Sequence, residues 1–520
     1  MRVENLLEHS VARFPDNRAV THGGDSITFG ELWRAVTRLS TALREHDLEP
    51  GARIAILWEN SIAYVTAFFA VLKAGHVVVP LDTSAHPDSL RNILSDAGVE
   101  VLVAQSRYQR HFPKILTGDS PVRVVISDRE IKVDIGDRDT RRLSDILDNA
   151  TEPAPDDTNP VMQTMSWDES PGDLAAIFYT SGSTGASKGV MLSHRNLVSN
   201  TIGTVEYLRL TEDDSVLVIL PFYYIYGNSL MLTHAACGGR LVIDNRFLYP
   251  EVILDTMESE QVTGFSGVPS NFIILLGKST FRQRNLESLR YFTQAGGAMA
   301  PDIIRQLIDS FGHKEIFIMY GQTEASPRAT WLPPDTLQEK IGSIGIPVPG
   351  VGVEVCDEQG DAVPAGETGE IVISGPNVML GYFNQPDETA EVVRDGRLHT
   401  GDLARRDRDG YLFIVGRRKE IMKVGGNRVS AKEVEECLLE HDDVLEAAVF
   451  GVPDDVLGEA VKAVVALGKD REVTVKALQD HCKRRLAVHK VPKFVEFRSE
   501  LPKYQSGKVN KPLLAKQHAG

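Results

Sequence analysis

Helix-like and strand-like hydrophobic patterns alternate along most of this chain, and this alternation limits its possible folds more than any other feature. Apolar residues at helical spacing run through Glu31–His46 and Ile62–Ala74, whereas Arg53–Leu57 and His76–Pro80 are short apolar runs that predict strands. Strands that alternate with helices of this length predict a mostly parallel sheet covered by helices. We therefore predict an α/β fold for the beginning of the chain.

A second stretch with the same alternation follows a polar loop. Thr151–Pro160 (TEPAPDDTNP) is rich in proline and aspartate, which predicts a surface loop between two similar α/β layers. The alternation resumes over Asp173–Met319. There we predict strands at Ser215–Leu220, Arg240–Ile243 and Ile316–Met319, and a helix at Glu251–Glu260.

The pattern changes in the last third of the chain. From about Gly342 to Ile414, short alternating runs broken by glycine and proline predict a small antiparallel β subdomain. A final α+β segment after Gly416 is predicted to contain helices at Ala431–Glu440 and Val475–Arg485, and strands at Ala447–Phe450, Ala460–Ala466 and Lys493–Phe497. We predict a large N-terminal domain over residues 1–415 and a small C-terminal domain over residues 416–520.

The charge distribution argues against nucleic acid as a partner. The formal net charge is −16 at pH 7, with +4 on residues 416–520 and −20 on the first 415 residues. General nucleic-acid binding goes with a strongly basic surface instead. Basic residues do cluster in His481–Lys493 (HCKRRLAVHKVPK), which suits phosphate groups, an acidic helix of a partner, or simply a solvated helix face.

Cysteine usage and hydropathy predict a cytoplasmic protein. Cys237, Cys356, Cys437 and Cys482 form no CxxC pair, so we predict neither a zinc site nor a secreted disulfide framework. We find no basic-then-apolar signal pattern at the N-terminus and no run of about 18 apolar residues, so we expect no stable membrane insertion. The oligomeric state is left open.

The stretch Tyr179–Gly189 (YTSGSTGASKG) is the strongest local signal, and it predicts a phosphate-binding loop. It follows an apolar run, Leu174–Phe178, and precedes a predicted helix that Ser193 is suited to cap. Glycines permit unusual backbone conformations, hydroxyl and N–H groups can bind phosphate oxygens, and Lys188 adds a cation. The spacing differs from that of the usual NTPase P-loop. The candidate phosphate ligands are Thr180, Ser181, Gly182, Ser183, Thr184, Gly185 and Lys188.

This stretch is similar to the phosphate loop of the adenylate-forming superfamily, which includes acyl-CoA synthetases, nonribosomal peptide synthetase adenylation domains and firefly-type luciferases. Further stretches resemble motifs of that superfamily in the same chain order: YGQTEAS at Tyr320–Ser326, HTGD at His399–Asp402, GRRKEIMKVGGNRV at Gly416–Val429 and PKYQSGK at Pro502–Lys508. With five matches in order, the chain is identified as a member. The resemblance implies an enzyme that joins a carboxylate to ATP, releases pyrophosphate and passes the acyl group from AMP to a thiol.

The resemblance also implies roles for the residues of a nucleotide site. Glu324 resembles the magnesium-binding acid, with Thr184 as a second candidate ligand, and Thr323 resembles the hydroxyl that contacts the α-phosphate. Asp402 resembles the acid that binds both ribose hydroxyls, which a carboxylate can do because it accepts two hydrogen bonds. The other nucleotide residues implied by the resemblance are Tyr320 stacked on adenine, Gly321 and Gln322 beside it, Arg417 at the ribose, and Gly296, Gly297 and Ala298 beneath adenine and the acyl group.

The C-terminal segment is implied to supply a catalytic lysine and then to move. Lys508 resembles the lysine that bridges the carboxylate and the α-phosphate, and with Lys188, Thr323 and Glu324 it completes the implied catalytic set. Lys419 resembles the hinge residue about which a mobile C-terminal domain rotates. In the second state, the implied thiol tunnel is formed by Lys423, Gly425 and Gly426.

The predicted acyl pocket departs from common patterns of the family. Many relatives have histidine in the position of Tyr224, and a tyrosine will not act as a base near neutral pH. Amino-acid-activating relatives have aspartate in the position of Ile225, so an ordinary α-amino acid would lack a partner for its ammonium group here; β-amino acids stay open. The candidate pocket residues are Tyr223, Tyr224, Ile225, Asn228, Ser266, Gly267, Thr293 and Gln294.

These observations predict a cytoplasmic ATP- and Mg²⁺-dependent acid–thiol ligase. Its substrates would be a small carboxylic acid of unspecified identity and CoA. Loading of a phosphopantetheine arm on a separate carrier protein is the main alternative, and a luciferase-like oxidation is a remote one. A non-catalytic binding protein is disfavoured, because Lys188, Glu324, Asp402 and Lys508 are all present.

Overall fold

The first part of the chain alternates helices and strands, as its hydrophobic pattern predicts. The structure is a computed structural model that describes residues 1–149, 173–181, 187–454, 456–468, 471–503 and 509–517. The elements of the first part are α1 Glu4–Arg13, β1 Arg18–His22, β2 Asp25–Thr28, α2 Phe29–Arg44, β3 Arg53–Leu57, α3 Ile62–Lys73, β4 Val77–Pro80, α4 Pro87–Asp96, β5 Val99–Ala104, α5 Phe112–Ile115, β6 Val124–Ser127, β7 Asp139–Arg142 and α6 Leu143–Asn149. Helix α2 begins at a capping box, in which the side chains of Thr28 and Glu31 each accept a hydrogen bond from the backbone N–H of the other residue. Two otherwise unpaired backbone donors are thereby satisfied.

The middle of the chain continues the alternation. Its elements are β8 Leu174–Ser181, β9 Ser187–Ser193, α7 His194–Leu208, β10 Ser215–Val218, α8 Ile225–Cys237, β11 Arg240–Ile243, α9 Pro250–Ser259, β12 Gly264–Gly267, α10 Pro269–Lys278, β13 Tyr291–Gln294, α11 Pro301–Phe311, β14 Glu315–Gly321, β15 Arg328–Leu332 and β16 Ile346–Pro347. Ser193 caps α7, as predicted, by accepting a hydrogen bond from the backbone of Asn196.

These elements form two large sheets. One has eight strands in the order β19-β9-β8-β4-β3-β5-β6-β7, where β19 is Gly381–Tyr382, and the other has nine in the order β16-β15-β14-β13-β12-β10-β11-β1-β2. The central strands of both are parallel. The predicted pair of similar α/β layers is therefore confirmed.

The two layers do not divide at the predicted loop. Strand β1 pairs with β11 in the nine-stranded sheet, and β8 pairs with β4 in the eight-stranded sheet. The prediction that Thr151–Pro160 separates the layers was therefore wrong, because strands from both sides of that segment enter each sheet. The segment itself lies outside the described residues.

Six α-helices share one hydrophobic core with both sheets. Helices α1, α2, α3, α6, α7 and α8 contribute buried apolar residues to a single cluster that also contains strand residues of each sheet. Helix α3 is buried all round, with every residue of Tyr64–Leu72 in the interior. Helices α9, α10 and α11 cover the opposite face of the nine-stranded sheet, and α4 and α5 cover the eight-stranded one. This packing holds α8 against the nine-stranded sheet.

The last part of the chain forms two smaller sheets. The antiparallel subdomain contains β17 Gly352–Cys356, β18 Thr368–Ser374, β19, α12 Pro386–Val392, β20 Val393–Arg394, β21 Arg397–Arg406 and β22 Leu412–Arg417. The C-terminal domain contains β23 Ile421–Val424, β24 Asn427–Ser430, α13 Ala431–Leu439, β25 Val444–Asp454, β26 Gly458–Leu467, α14 Val475–Lys483, β27 Phe494–Arg498 and α15 Lys511–Lys516. Together they give the predicted large α/β domain with its antiparallel subdomain, followed by a small α+β domain.

All four cysteines are buried free thiols. Among the described residues, no helix is both long enough and apolar enough to cross a membrane.

A partly buried cation connects the last helix to the start of the C-terminal domain. The Nζ atom of Lys511 lies 2.7 Å from a carboxylate oxygen of Glu420 and 2.8 Å from one of Glu435. Burial raises the pKa of the Glu435 carboxyl, while Lys511 lowers it. Glu420 belongs to the turn that follows β22, so this cluster joins the domain junction to α13 and α15.

Lys511→Ala is expected to loosen the C-terminal domain, because it leaves two neighbouring carboxylates without their cation. Removing one partner of this partly buried ion cluster should cost about 1–3 kcal/mol, because solvent screens part of the interaction. Hydrogen–deuterium exchange measured on peptides from α13 and α15 should accelerate. Lys516→Ala removes an exposed lysine of the same helix and is the matched control. Equal exchange in both variants would contradict a stabilising role for Lys511.

Candidate active site

The buried carboxylate of Asp402 joins a strand end of the nine-stranded sheet to the domain junction. Its two oxygens accept hydrogen bonds from the Tyr320 hydroxyl at 2.7 Å and from Nε of Arg417 at 2.7 Å. Asp402 and Arg417 are directly paired across β21 and β22, and Tyr320 lies near the end of β14. Three side chains that the sequence assigns to the adenosine site thus lie together.

Electrostatics in this cluster keep its groups in defined protonation states. Burial raises the pKa of the Tyr320 hydroxyl well above its ordinary value, and the Asp402 carboxylate raises it further. The same carboxylate raises the pKa of the Arg417 guanidinium. Tyr320 therefore stays a neutral hydrogen-bond donor, and Asp402 accepts its hydrogen bond. A flat aromatic ring thus lies beside an anionic hydrogen-bond acceptor.

A second cluster gathers around Glu324, four residues beyond Tyr320. The Tyr382 hydroxyl donates to Glu324 Oε1 at 2.8 Å, and the backbone N–H of Met379 donates to the Glu324 carbonyl. The ammonium of Lys188 lies 4.9 Å from the centre of the Tyr382 ring and forms an ion pair with Glu388. Lys188 and Glu324, both predicted site residues, are thus connected through Tyr382.

Tyr382 and Glu388 are functional candidates that the sequence analysis missed. They belong to β19 and α12, which lie between β18 and β20 of the antiparallel subdomain, and no motif marks them. Burial raises the pKa of the Tyr382 hydroxyl, and Glu324 raises it further, so the phenol remains a donor to that carboxylate. An aromatic residue near the end of a short strand is too unspecific a sequence feature to identify Tyr382 as a site residue.

The predicted phosphate loop joins two antiparallel strands. Thr180 on β8 pairs with Lys188 on β9, so Lys188 lies within a strand. The strand over Ser187–Ser193 was not predicted from the sequence, because glycine and serine residues obscure the alternation of apolar and polar residues in it. Gly182, Ser183, Thr184 and Gly185 lie outside the described residues, as does the side chain of Ser181.

Glycine is required where the segment carrying Tyr320 and Glu324 leaves the sheet. Gly321 lies opposite Arg328 in the β14–β15 ladder, and a Cβ atom there would collide with the carbonyl oxygen of Pro327. Beyond it, Thr323–Ala325 forms one short 3₁₀ turn, so Thr323 and Glu324 stand at the carboxyl end of β14. Ligands of open α/β sheets bind at this end of the strands.

The loop Gly296–Ala298 lies at the end of β13. Gly296 has a positive φ, and Gly297 and Ala298 are exposed. The Gln294 side chain donates to the carbonyl oxygens of Ala295 and Gly297, so Gln294 holds this loop in place. A flat group can approach the exposed loop backbone closely.

Several of the predicted acyl-pocket residues meet between α8 and the strand ends. The Tyr226 hydroxyl lies 2.9 Å from Thr293 Oγ1, which lies 2.6 Å from Ser266 Oγ. Ser266 and Thr293 are neighbours in the β12–β13 ladder, and Gly267 pairs with Gln294 one step further. Asn228, also on α8, is completely buried, and neither polar atom of its side chain has a partner in the described part of the chain. Tyr226 was not predicted to take part, although it stands next to Ile225.

Two tyrosines cover the start of α8. The Tyr223 and Tyr224 rings are 4.7 Å apart, and the Tyr224 hydroxyl lies 3.4 Å from the Asp82 carboxylate. Burial raises the pKa of the Tyr224 hydroxyl, and Asp82 adds to the effect. This phenol therefore stays protonated near neutral pH, as the comparison with histidine predicts.

The predicted hinge and tunnel residues lie in the C-terminal domain. Lys419 is exposed in the turn after Arg417, Lys423 is exposed on β23, and Gly425 and Gly426 form the β23–β24 turn with positive φ. The Ser430 hydroxyl donates to the carbonyl of Val415 across the junction. Lys508 lies outside the described residues.

The basic cluster of the C-terminal domain is largely neutralised. Lys490 contacts Glu433 at 2.6 Å and Arg485 contacts Glu440 at 3.0 Å, and His481 is buried against the Cys437 carbonyl. Such exposed pairs favour the solvated-face interpretation of this segment.

Two family models match the chain. One, described as AMP-binding enzyme, matches residues 7–383, and the other, described as AMP-binding enzyme C-terminal domain, matches residues 433–508. A feruloyl-CoA synthase from an Amycolatopsis species is 36% identical over 498 residues, which are 96% of this chain and 95% of that protein. A long-chain-fatty-acid–CoA ligase from Yersinia pestis is 34% identical over 527 residues, which are 97% and 92% of the two chains.

Solved structures with the same fold include ligand complexes. ATP-bound MatB from Rhodopseudomonas palustris superposes with a TM-score of 0.87 at 31% identity, covering 100% of this chain and 99% of that one. The o-succinylbenzoate CoA synthetase MenE from Bacillus subtilis, in complex with its acyl-adenylate intermediate OSB-AMP, gives a TM-score of 0.83 at 28% identity, covering 98% and 97%.

Proposed function

The chain belongs to the AMP-binding enzyme family, and we propose that it is an AMP-forming acid–thiol ligase that converts a carboxylic acid, ATP and CoA into an acyl-CoA, AMP and pyrophosphate. The observation that carries this proposal is the pair of clusters around Asp402 and Glu324, one suited to adenosine and one to phosphate. One segment joins them, because Tyr320 of the first cluster and Glu324 of the second are only four residues apart. The relatives named as CoA synthases and ligases, whose similarity covers nearly the whole chain, support it.

The reaction proceeds in two displacements. One oxygen of the acid's carboxylate attacks the α-phosphorus of ATP, a C–O–P bond forms, and pyrophosphate leaves. The thiol sulfur of CoA then attacks the acyl carbon, a C–S bond forms, and AMP leaves with the oxygen that the acid supplied. In this proposal Lys188 and Lys508 offset the negative charge where the carboxylate meets the phosphates, and aligned charges of this kind are the main source of such catalysis.

A magnesium ion fits the donor set at Glu324. Mg²⁺ is usually held by one or two carboxylates together with substrate phosphates, and within the described ranges no group of three or more metal-binding side chains occurs that would indicate an all-protein cage. We propose that Glu324 and Thr184 hold the ion, which would neutralise phosphate charge. Tyr382 orients the carboxylate by its hydrogen bond to Oε1.

The two domains are proposed to take turns at the site. Residues 1–415 would bind ATP and the acid, and residues 416–520 would first bring Lys508 to the nucleotide and then admit the thiol past Lys423, Gly425 and Gly426. Lys419, exposed two residues after Arg417, suits a hinge because rotation there meets little packing resistance.

The whole reaction is tested by mass spectrometry of the purified protein incubated with ATP, Mg²⁺ and pooled carboxylic acids, with and without CoA. The proposal predicts an acyl-CoA and an equal amount of AMP in the complete mixture. An acyl-adenylate that accumulates equally with and without CoA would instead identify a carrier protein as the thiol donor. Absence of both products from all acids would contradict the proposal.

Glu324→Gln is expected to raise the Mg²⁺ concentration for half-maximal activity and to lower the maximal rate about tenfold, since the neutral amide is a weaker ligand for a hard cation. Titration of Mg²⁺ in a pyrophosphate-release assay measures both effects. Glu339→Gln changes an exposed carboxylate on a nearby loop and serves as the control. An unchanged Mg²⁺ dependence in Glu324→Gln would exclude Glu324 as a ligand.

A further inference from the structure

One buried cation beside the proposed acyl pocket is not neutralised. Arg328, the first residue of β15, is 2% exposed. Its Nη1 donates to the Tyr207 hydroxyl at 3.3 Å and its Nη2 to the Ser229 hydroxyl at 3.2 Å, while Nε has no partner. Within the described ranges, no carboxylate lies within ion-pair distance of its guanidinium.

The absence of an oppositely charged partner among the described residues is costly. Arginine remains charged in proteins, and a buried charge is tolerated when it is paired with an opposite charge and hydrogen-bonded. The neighbouring Asp214 carboxylate shows the usual solution, because it is bound by Arg290 at 2.9 Å and by Thr263 at 2.8 Å. Two neutral hydroxyls do not compensate the charge of Arg328, so the site is suited to an anion that is not part of the protein.

The position of Arg328 indicates which molecule brings that anion. The guanidinium lies 5.6 Å from the centre of the Tyr226 ring, and the Tyr226 hydroxyl contacts Thr293, which contacts Ser266. Arg328 also lies opposite Gly321 in the sheet, next to the segment that carries Tyr320 and Glu324. The cation thus lies against Tyr226, beside the proposed acyl pocket and outside the two nucleotide clusters.

Other unsatisfied polar groups occur on the same elements. In the part of the chain that the structure describes, both polar atoms of the Asn228 side chain, one residue before Ser229 on α8, lack partners, and so does Oε1 of Gln294 at the end of β13. An apolar acid would leave all of these groups and the charge of Arg328 unsatisfied. A polar, anionic group at the end of the acid would accept hydrogen bonds from the two unpaired donors, Nε of Arg328 and Nδ2 of Asn228, and would offset the guanidinium charge.

We propose that the acid substrate carries a second anionic group, in the simplest case a second carboxylate, and that Arg328 is the residue that recognises it. This inference rests on the proposed function, because it identifies the class of acid that the same pocket accepts. The carboxylate near Glu324 reacts with ATP, and the second one binds at Arg328 and remains unchanged.

The test compares matched acids in a pyrophosphate-release assay with ATP, Mg²⁺ and CoA. The pairs are hexanedioate with hexanoate, octanedioate with octanoate, and 4-carboxycinnamate with cinnamate. A site built for a charged group rejects an analogue that lacks it, so kcat/KM for at least one diacid should exceed that of its partner about a hundredfold or more. Equal or better use of every monocarboxylate would overturn the inference.

Variants of Arg328 test the residue itself. Arg328→Met should reduce the preference for the diacid over its partner about a hundredfold, mainly through KM, and Arg328→Lys should retain part of it. Arg305→Met, on the exposed face of α11, is the control and should leave the preference unchanged. Equal losses on both members of a pair would show a merely structural role, and if Arg328→Met does not fold, the wild-type comparison still decides.

The failure of this inference is distinguishable from that of the proposed function. Monocarboxylates converted to acyl-CoA without any preference for diacids would overturn the inference and leave the ligase function intact. Absence of pyrophosphate release with every acid of both classes, although the protein binds ATP, would overturn both.

Discussion

Lys508→Ala is expected to lower the rate of acid-dependent pyrophosphate release about 10²–10³-fold, because it removes the cation proposed to bridge the carboxylate and the α-phosphate. The assignment of Lys508 rests on the resemblance of PKYQSGK to the family motif. The residues that flank this stretch are anchored: Lys503 pairs with Val509, and Lys511 binds Glu420 and Glu435. Single-turnover pyrophosphate release measures the effect on the first displacement alone.

The second displacement provides the contrast for this variant. Lys508 is proposed to act in adenylation, so Lys508→Ala given a preformed acyl-adenylate should still form acyl-CoA at a rate close to that of the wild type. Lys516→Ala, eight residues further, should leave both steps unaffected. A Lys508→Ala protein that releases pyrophosphate at the wild-type rate would exclude Lys508 as the adenylation lysine.

Asp402→Asn is expected to lower kcat/KM for ATP about 10²-fold. Both Asp402 oxygens accept hydrogen bonds, from Tyr320 and from Arg417. The amide can accept with its oxygen only, and its NH₂ group would face a donor. Asp402 is buried but the Arg417 side chain is largely exposed, so loss of their ion pair contributes about 1 kcal/mol or less. Most of the expected effect comes from the loss of the charged ribose acceptor, since hydrogen bonds to charged groups contribute about 1.5–3 kcal/mol.

Calorimetric titration with ATP checks this prediction apart from catalysis. Tyr320→Phe keeps the carboxylate and the ring but removes one hydrogen bond, so its affinity loss should be much smaller, about fivefold for one bond of about 1 kcal/mol. Asp407→Asn, on the hairpin between β21 and β22, changes a carboxylate that binds Lys340 and is the control. Unchanged ATP affinity in Asp402→Asn would remove Asp402 from the nucleotide site.

The hydrophobic pattern predicted individual elements better than their arrangement. The strands Arg53–Leu57 and Arg240–Ile243 have the predicted limits, and the helix predicted at Ala431–Glu440 is α13. The assignment of each strand to one of the two sheets was not predictable. The sequence of an apolar run such as β1 or β8 does not indicate which sheet the strand joins. Pairing depends on long-range packing that hydrophobic periodicity does not encode.

Site residues were predictable from the sequence where they belong to a motif, and not elsewhere. The motifs carrying Tyr320, Glu324 and Asp402 identify residues that the structure brings together. Tyr226, Arg328 and Tyr382 lie outside any motif and become candidates only through their neighbours in space. Arg328 shows this most clearly, since its burial and its lack of a carboxylate partner are three-dimensional facts.

Isotope transfer from the acid tests the central claim most directly. If the carboxylate attacks the α-phosphorus, an acid labelled with ¹⁸O in both carboxyl oxygens must leave one labelled oxygen on AMP when the thiol displaces it. Mass spectrometry of the AMP formed in the complete reaction with Mg²⁺ and CoA should therefore show a single ¹⁸O. Unlabelled AMP, or label in inorganic phosphate or pyrophosphate instead, would contradict an acyl-adenylate intermediate and with it the proposed function.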